Sequence, residues 1–152
     1  GLSSMGYDLR VGRKYKVFTD VHSVIVDPKN IDCRSFVDVE GDYCIIPPNS
    51  FALSEVMEYI EMPPDVLGVC TGKSTVARCG ILVSPTPIEP AWKGVLTIEI
   101  SNTTPLPAKV YSCEGICQVM FFKSAVRCRT DYANKKGIYD NQTGLTLPRV
   151  RT

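Results

Sequence analysis

Histidine is almost missing from this chain: His22 is the only one in 152 residues. A Ser/His/Asp or Cys/His hydrolytic centre would have to be built on it, and the surrounding TDVHSVIVD has no nucleophile-elbow character. His22 also lacks a ligand-spaced partner, so it reads as structural. The paired H-x-E and P-C-x-x-C signatures of a zinc deaminase are absent. Charge of one sign is lacking as well. Seventeen Lys and Arg against sixteen Asp and Glu leave a net charge of +1, which gives no electrostatic case for nucleic acid or an anionic membrane as a partner. The longest apolar runs are strand-sized, far short of a membrane span. No basic-then-apolar leader opens the chain, so secretion is not expected.

Cysteine, by contrast, is plentiful. The chain has seven: Cys33, Cys44, Cys70, Cys79, Cys113, Cys117 and Cys128. The number is odd and most sit in apolar, strand-like runs, which fits reduced, buried thiols in a cytoplasmic protein better than a disulfide framework. The close pair Cys113–Cys117 has C-x3-C spacing, and no second pair completes a four-ligand zinc site.

The length suits one domain with a real core. Short β-branched runs alternate with Pro, Gly, Asn and Asp. Strands are expected at 14–18, 22–26, 35–39, 43–46, 50–57, 66–70, 80–84, 94–101, 108–111 and 116–122. Only 73–79 (KSTVARC) has helical character, with Thr71 or Ser74 available as a cap. Many closely spaced strands indicate a sandwich, jelly roll or small barrel over residues 1–128. The tail 129–152 (RTDYANKKGIYDNQTGLTLPRVRT) loses the pattern. Left alone it would be mobile, and its tyrosines and basic residues suit a segment that orders on a ligand or a neighbouring subunit.

Three segments carry chemistry. TGKSTVARCG (71–80) groups Lys73, Ser74, Thr75 and Arg78 near a glycine turn, and Ser74 and Arg78 share a face if the segment is helical. That face would suit an anion. It is not a P-loop, because the first glycine of GxxxxGK[ST] is missing. TPIEPAWKG (86–94) offers Glu89 and Trp92, the latter suited to packing. GVLTIEIS (94–101) places Leu96, Ile98 and Ile100 on one face and Val95, Thr97, Glu99 and Ser101 on the other. Glu99 is therefore a carboxylate in mid-strand, costly to bury unpaired. It would serve either as a structural partner of Arg78 or Lys93, or as a general base.

Taken together, GKSTVARCGILV, TPIEPAWKGVLTIEISNTTPLPAKVY, EGICQVMFF and DYANKKGIYDNQTGLTLP resemble the dCTP deaminase branch of the dUTPase-like superfamily. SSMGYDLRVG is similar to the N-terminal motif of that family. The likeness spans nearly the whole chain. It implies a mainly β fold, a distorted jelly-roll β-barrel with one or two short helices, with 129–152 closing over the nucleotide site of the same domain. It also implies a homotrimer with active sites at subunit interfaces. The implied reaction is hydrolytic removal of the C4 amino group of a deoxycytidine nucleotide. The product is a deoxyuridine nucleotide that feeds thymidylate synthesis. The reaction would use no zinc, and Mg²⁺ would accompany the phosphates.

By the same resemblance Glu99 is the general base and acid, with Ser74 and Arg78 positioning the water and the carboxylate. Lys73 to Arg78, including Thr75, would meet the phosphates, and Glu89 would lie near the sugar. Thr97 and Ile98 would offer backbone contacts to the base, and Tyr132 and Gln142 would touch the nucleotide from the tail. The chain departs from the pattern at Ile138, where the family has a lysine. A lost cation there should weaken selection for dCTP over dCMP. An N-terminal helical segment common in the family also does not precede GLSSMGYDLR. Other readings are a dUTP diphosphatase, a bifunctional enzyme taking dCTP to dUMP, or a non-catalytic nucleotide-binding relative. Glu89 and Trp92 stand where a dUTPase would be expected to carry Asp and Tyr.

Overall fold

The computed structural model describes residues 1–22 and 24–150. Nine strands and one helical turn were identified among them: β1 (Gly6–Phe18), β2 (Phe36–Glu40), β3 (Tyr43–Ile46), β4 (Phe51–Glu61), β5 (Val66–Gly72), α1 (Ser74–Ala77), β6 (Ile81–Val83), β7 (Lys93–Asn102), β8 (Ala108–Tyr111) and β9 (Gly115–Lys123). A 3₁₀ turn at Cys33–Ser35 leads into β2.

The main sheet has the order β5-β9-β1-β4-β7-β6, with β2 added to β1, while β3 and β8 form a separate pair. All these pairings are antiparallel. β1 joins the two halves. Its first residues pair with β9, and Lys14–Phe18 pair with β2 on one side and, from Tyr15, with β4 on the other. A register shift between Val11 and Tyr15 bends the strand. The sheet curls until β6 returns toward β5. A Cβ at Gly72 would touch the Val83 carbonyl at 3.4 Å, and Gly68 bridges Ile88. The result is a nearly closed barrel, the mainly β architecture expected. Its interior is filled by Leu9, Val11, Tyr15, Val56, Ile98, Ile100 and Val119, all 2% exposed or less. Burying each aliphatic side chain of this size contributes about 1.5–3 kcal/mol.

β7 follows the expected alternation throughout, with Leu96, Ile98 and Ile100 buried and Val95, Thr97 and Glu99 half-buried. Its end is fixed by Asn102, whose buried amide donates to the carbonyls of Ile46, Pro47 and Leu106.

Three expectations need correction. Residues 22 and 24–26 form no strand, and Ser23 lies outside the described residues. β1 explains this: between Tyr15 and Val17 both its edges are already taken, by β2 and β4, so the apolar run has no strand to pair with there. Val24 and Ile25 are left exposed. The helix shrinks to one turn, capped by the backbone of Lys73 with no side-chain cap bond from Thr71 or Ser74. Burial of the thiols holds only in part. All seven are free, Cys44 and Cys117 are buried and Cys70 is half-buried, while Cys33, Cys79, Cys113 and Cys128 are exposed. Burial pushes Cys44 up to about 11 and Cys70 and Cys117 up to about 12, so these three are poor nucleophiles at neutral pH. Among the described residues, no helix is long and apolar enough to cross a membrane.

Candidate functional site

The polar face of β7 opens onto a cavity of about 500 Å³. Phe36, Phe51, Ile88 and Trp92 form apolar walls, and Thr97, Glu99 and Gln142 supply polar groups. The two phenylalanines belong to a packed trio with Phe18: Phe18 and Phe51 stack at 4.8 Å, and Phe36 meets both edge-on. This packing supports the wall from behind.

Glu99 sits in this cavity with its Oε2 buried and without a hydrogen-bond partner among the described residues. Neither Arg78 nor Lys93 pairs with it, so within one chain the structural ion-pair reading is not realised. Burial pushes its carboxyl above the ordinary glutamate value, opposed by its own backbone N–H. A carboxylate held this way takes up a proton more readily than an exposed one, as a general base must.

The roof comes from the tail, which packs on the barrel by backbone and side-chain bonds. Gln142 Nε2 donates to the Val95 carbonyl at 2.9 Å and to Thr97 Oγ1, which also accepts from the Thr146 N–H at 3.1 Å. The Gln142 carbonyl accepts from Val95 N–H at 2.8 Å, so the tail runs beside the start of β7 as an extra short bridge. Further along, Trp92 Nε1 donates to the Tyr139 carbonyl at 2.9 Å, and Tyr132 N–H donates to Pro90. The Tyr132 hydroxyl accepts from Tyr139 N–H at 3.2 Å, tying the tail to itself. Lys135 reaches Glu89 Oε2 at 3.0 Å on the cavity rim.

The structure thus brings together Glu89, Thr97, Glu99, Tyr132 and Gln142 around one space. It does not bring Lys73, Ser74, Thr75 or Arg78 there. Ser74, Thr75 and Arg78 lie exposed on and just after α1, and Arg78 meets no side-chain partner among the described residues. Lys73 is bound to Asp8 at 2.7 Å. Ile98 is fully buried, which leaves only its backbone for a ligand. Sequence reasoning missed Tyr139, Thr146, Phe36 and Phe51, all of which line the cavity. Tyr139 recurs seven residues after Tyr132, a repeat in an otherwise polar tail that signals a second anchor. The phenylalanines gave no local signal, because their meeting depends on the β1-β2 and β1-β4 registers.

Among the described residues, no lysine or arginine lines the cavity. Lys135 is already engaged by Glu89, and Arg149 is held at the tail by the Ile138 carbonyl. The space therefore combines apolar walls with a carboxylate, a hydroxyl and an amide. Any strongly anionic portion of a ligand needs cations from beyond these walls.

Residues 1–124 match the family model described as dCTP deaminase-like. The chain is similar to the dCTP deaminase of Acidobacterium capsulatum, 61% identical over 150 residues, covering 99% of this chain and 82% of that protein. It is also 61% identical to a dCTP deaminase of Campylobacter jejuni, over 99% of this chain and 81% of that protein. Among solved structures it resembles 2'-deoxycytidine 5'-triphosphate deaminase from Agrobacterium tumefaciens, with a TM-score of 0.63 at 21% identity. That match covers 79% of this chain and spans 39% of the other, and it bears on the fold alone.

Proposed function

The chain belongs to the dCTP deaminase-like family, and from that premise we propose that it is a hydrolytic deaminase that converts dCTP to dUTP and ammonia, with Glu99 as the base. The observation that carries this reading is the buried Oε2 of Glu99, without a partner among the described residues, in a cavity beneath the docked tail. Water attacks C4 of the cytosine as Glu99 takes one of its protons, and a C–O bond forms. Glu99 then returns that proton to the exocyclic nitrogen, the C4–N bond breaks and ammonia leaves. Proton transfer of this kind contributes about 10²–10⁴-fold. The chemistry runs without zinc. The chain's one histidine is exposed, and Cys117, half of its closest cysteine pair, is buried with its thiol protonated.

Ser74 and Arg78 reach this carboxylate from a second copy of the chain, in a homotrimer whose sites lie between subunits. Their exposure on and just after α1, and the lack of a side-chain partner for Arg78 among the described residues, support this. Such a site can be tested by mixing. Glu99→Gln and Arg78→Ala copies, each inactive alone, should regain activity when refolded together, since random reassembly joins intact partners at about one site in four. No recovery would place both residues in one subunit's site. Magnesium travels with the phosphates rather than on protein side chains, where it neutralises their charge.

Incubation with dCTP, dCMP and dUTP, with ammonia and pyrophosphate measured, tests the reading. Ammonia from dCTP supports it. Pyrophosphate from dUTP would indicate a diphosphatase or a bifunctional enzyme, and binding without either product a non-catalytic relative. The same assay tests Ile138. With Lys135 held by Glu89 and no lysine at 138, the chain should accept dCMP more readily than its relatives do. Ile138→Lys should raise the dCTP to dCMP ratio of kcat/KM by about tenfold, the worth of one added charge contact. A strong preference for dCTP unaltered by that substitution would sink the idea.

A further inference from the structure

Glu55 stands on β4 directly across from Thr97 on β7, so the two side chains leave the sheet on the same face. The ladders are irregular on both sides of it. The β4–β7 register shifts between Glu55 and Tyr59. The β1–β4 register shifts between Val11, opposite Val56, and Tyr15, opposite Ser54, so Glu55 falls inside that break. Irregularities of this kind re-aim a side chain. Gly12, within the same stretch of β1, leaves space for the glutamate stem: a Cβ there would stand 3.1 Å from Glu55 Cγ.

The carboxylate is directed at the tail. Glu55 Oε2 accepts from the Leu145 N–H at 2.8 Å, and the chain passes so close that a Cβ on Gly144 would lie 2.9 Å from the same oxygen. Thr97 takes the next amide, its Oγ1 accepting from the Thr146 N–H at 3.1 Å. Thr146 Oγ1 donates to the Gly144 carbonyl at 3.0 Å, which folds 144–146 into a hook. Two facing residues on neighbouring strands thus hold two consecutive tail amides. Lys14 and Lys16 line the hollow beside Glu55. Lys16 is held by Asp38 at 2.6 Å, and no cation pairs with Glu55 among the described residues.

We propose that Glu55 is a positioning residue: its carboxylate latches the tail at Leu145 and so sets Gln142 and Thr146 in the roof over Glu99, without touching the nucleotide. This rests on the reading of Glu99 and the tail given above. A latch and a contact to the nucleotide differ in what their loss does. A latch requires an acceptor oxygen aimed at the Leu145 amide, so Gln serves in place of Glu and Ala does not. Its loss lowers the fraction of molecules with the tail docked, which raises KM and leaves turnover at saturation nearly unchanged. A glutamate acting on the ligand through its charge would be missed in Gln and Ala alike.

Three variants test this: Glu55→Ala, Glu55→Gln and Leu145→Pro, the last removing the donor from the tail side with β4 untouched. Hydrogen exchange is read on nucleotide-free protein at Thr146 and at Val95, whose N–H donates to the Gln142 carbonyl and reports that end of the tail. Both amides should exchange about tenfold faster in Glu55→Ala and Leu145→Pro, and within about threefold of wild type in Glu55→Gln, with Ile98 and Ile100 unchanged. In dCTP turnover, Glu55→Ala and Leu145→Pro should each raise KM about tenfold with kcat changed less than about threefold. Their combination should be no worse than either alone, and Glu55→Gln should recover most of the wild-type KM. Several results would overturn the proposal. These are wild-type exchange at Thr146 and Val95 in Glu55→Ala, a Glu55→Gln as impaired as Glu55→Ala, a fall in kcat with KM unchanged, or losses that add in the combination. Loss of folding in both Glu55 variants would also overturn it, by placing the role of Glu55 in the barrel. If Glu55→Ala alone fails to fold, Leu145→Pro against Glu55→Gln carries the same comparison. The exchange measurement needs no substrate, so it decides the latch even if wild-type protein releases no ammonia from dCTP.

Discussion

Glu99→Gln is expected to lower kcat by about 10²–10⁴-fold while making the protein more stable. The two effects have one cause. Gln keeps the shape of the side chain but cannot accept the proton of the attacking water, so the catalytic loss follows from the base itself. The stability gain follows from removing a charge whose Oε2 is buried and without a partner among the described residues. Burial raises the carboxyl above its ordinary value, so the folded state binds this proton more tightly than the unfolded chain does. Stability linked to that proton is fully present below the unfolded glutamate value and is lost as pH rises through the raised folded value. Wild-type protein should therefore lose stability across that window, and Glu99→Gln should not. At neutral pH the thermal midpoint of the variant should lie about 2–4 °C higher. The same raised value sets the acid limb of kcat in wild type: activity falls as pH drops and Glu99 protonates, with an inflection above that of a free glutamate. A variant with kcat within threefold of wild type, or with a lowered midpoint, would contradict the assignment.

The legible parts of this molecule are those fixed by short-range pattern. β7 was readable because alternation alone separates Ile98 and Ile100 from Thr97 and Glu99, and the burial follows it residue by residue. The breaker-bounded runs at 43–46 and 108–111 became β3 and β8 with the expected bounds. The run 22–26 carries the same local signal but fails as a strand. A strand needs a free edge, and the edges of β1 nearby are filled by segments remote in sequence. The site divides in the same way. Thr97, Glu99 and Gln142 share the cavity, while Ser74 and Arg78 stand exposed in the isolated chain. No pattern within one sequence specifies what covers an exposed helical turn. Lys73 shows a third limit. Its charge suggests a phosphate, and only the β1-β9 register reveals that Asp8 and Gln118 are already beside it.

Gly94→Ala should detach the tail from the barrel and take most of the activity with it. Gly94 has φ +145°, a backbone conformation that costs a non-glycine residue about 1–3 kcal/mol. A Cβ there would also lie 2.7 Å from the Gln142 carbonyl oxygen and 2.9 Å from the Gln142 nitrogen. Both are backbone atoms, so no rotamer change relieves the contact. The parallel bridge between Gly94 and Gln142 must open, which removes the Val95–Gln142 backbone bond and draws the Gln142 amide off Val95 and Thr97. Those bonds hold the roof over Glu99, so their loss admits water to the carboxylate and unplaces the tail's contacts to a nucleotide. Docking weakened by about 1–3 kcal/mol lowers the closed fraction, and kcat/KM for dCTP should fall about 5- to 150-fold. The barrel itself should survive, because β7 keeps its register with β4 from Phe51–Ser101 to Glu55–Thr97, beyond the substituted position. Limited proteolysis separates the two levels: the variant should be cut in the 129–150 region at protease concentrations that leave wild type intact, while the remaining fragment stays folded. Equal resistance of the two tails together with lost activity would mean that Gly94 acts on the cavity directly, and that the docked tail is not what closes it.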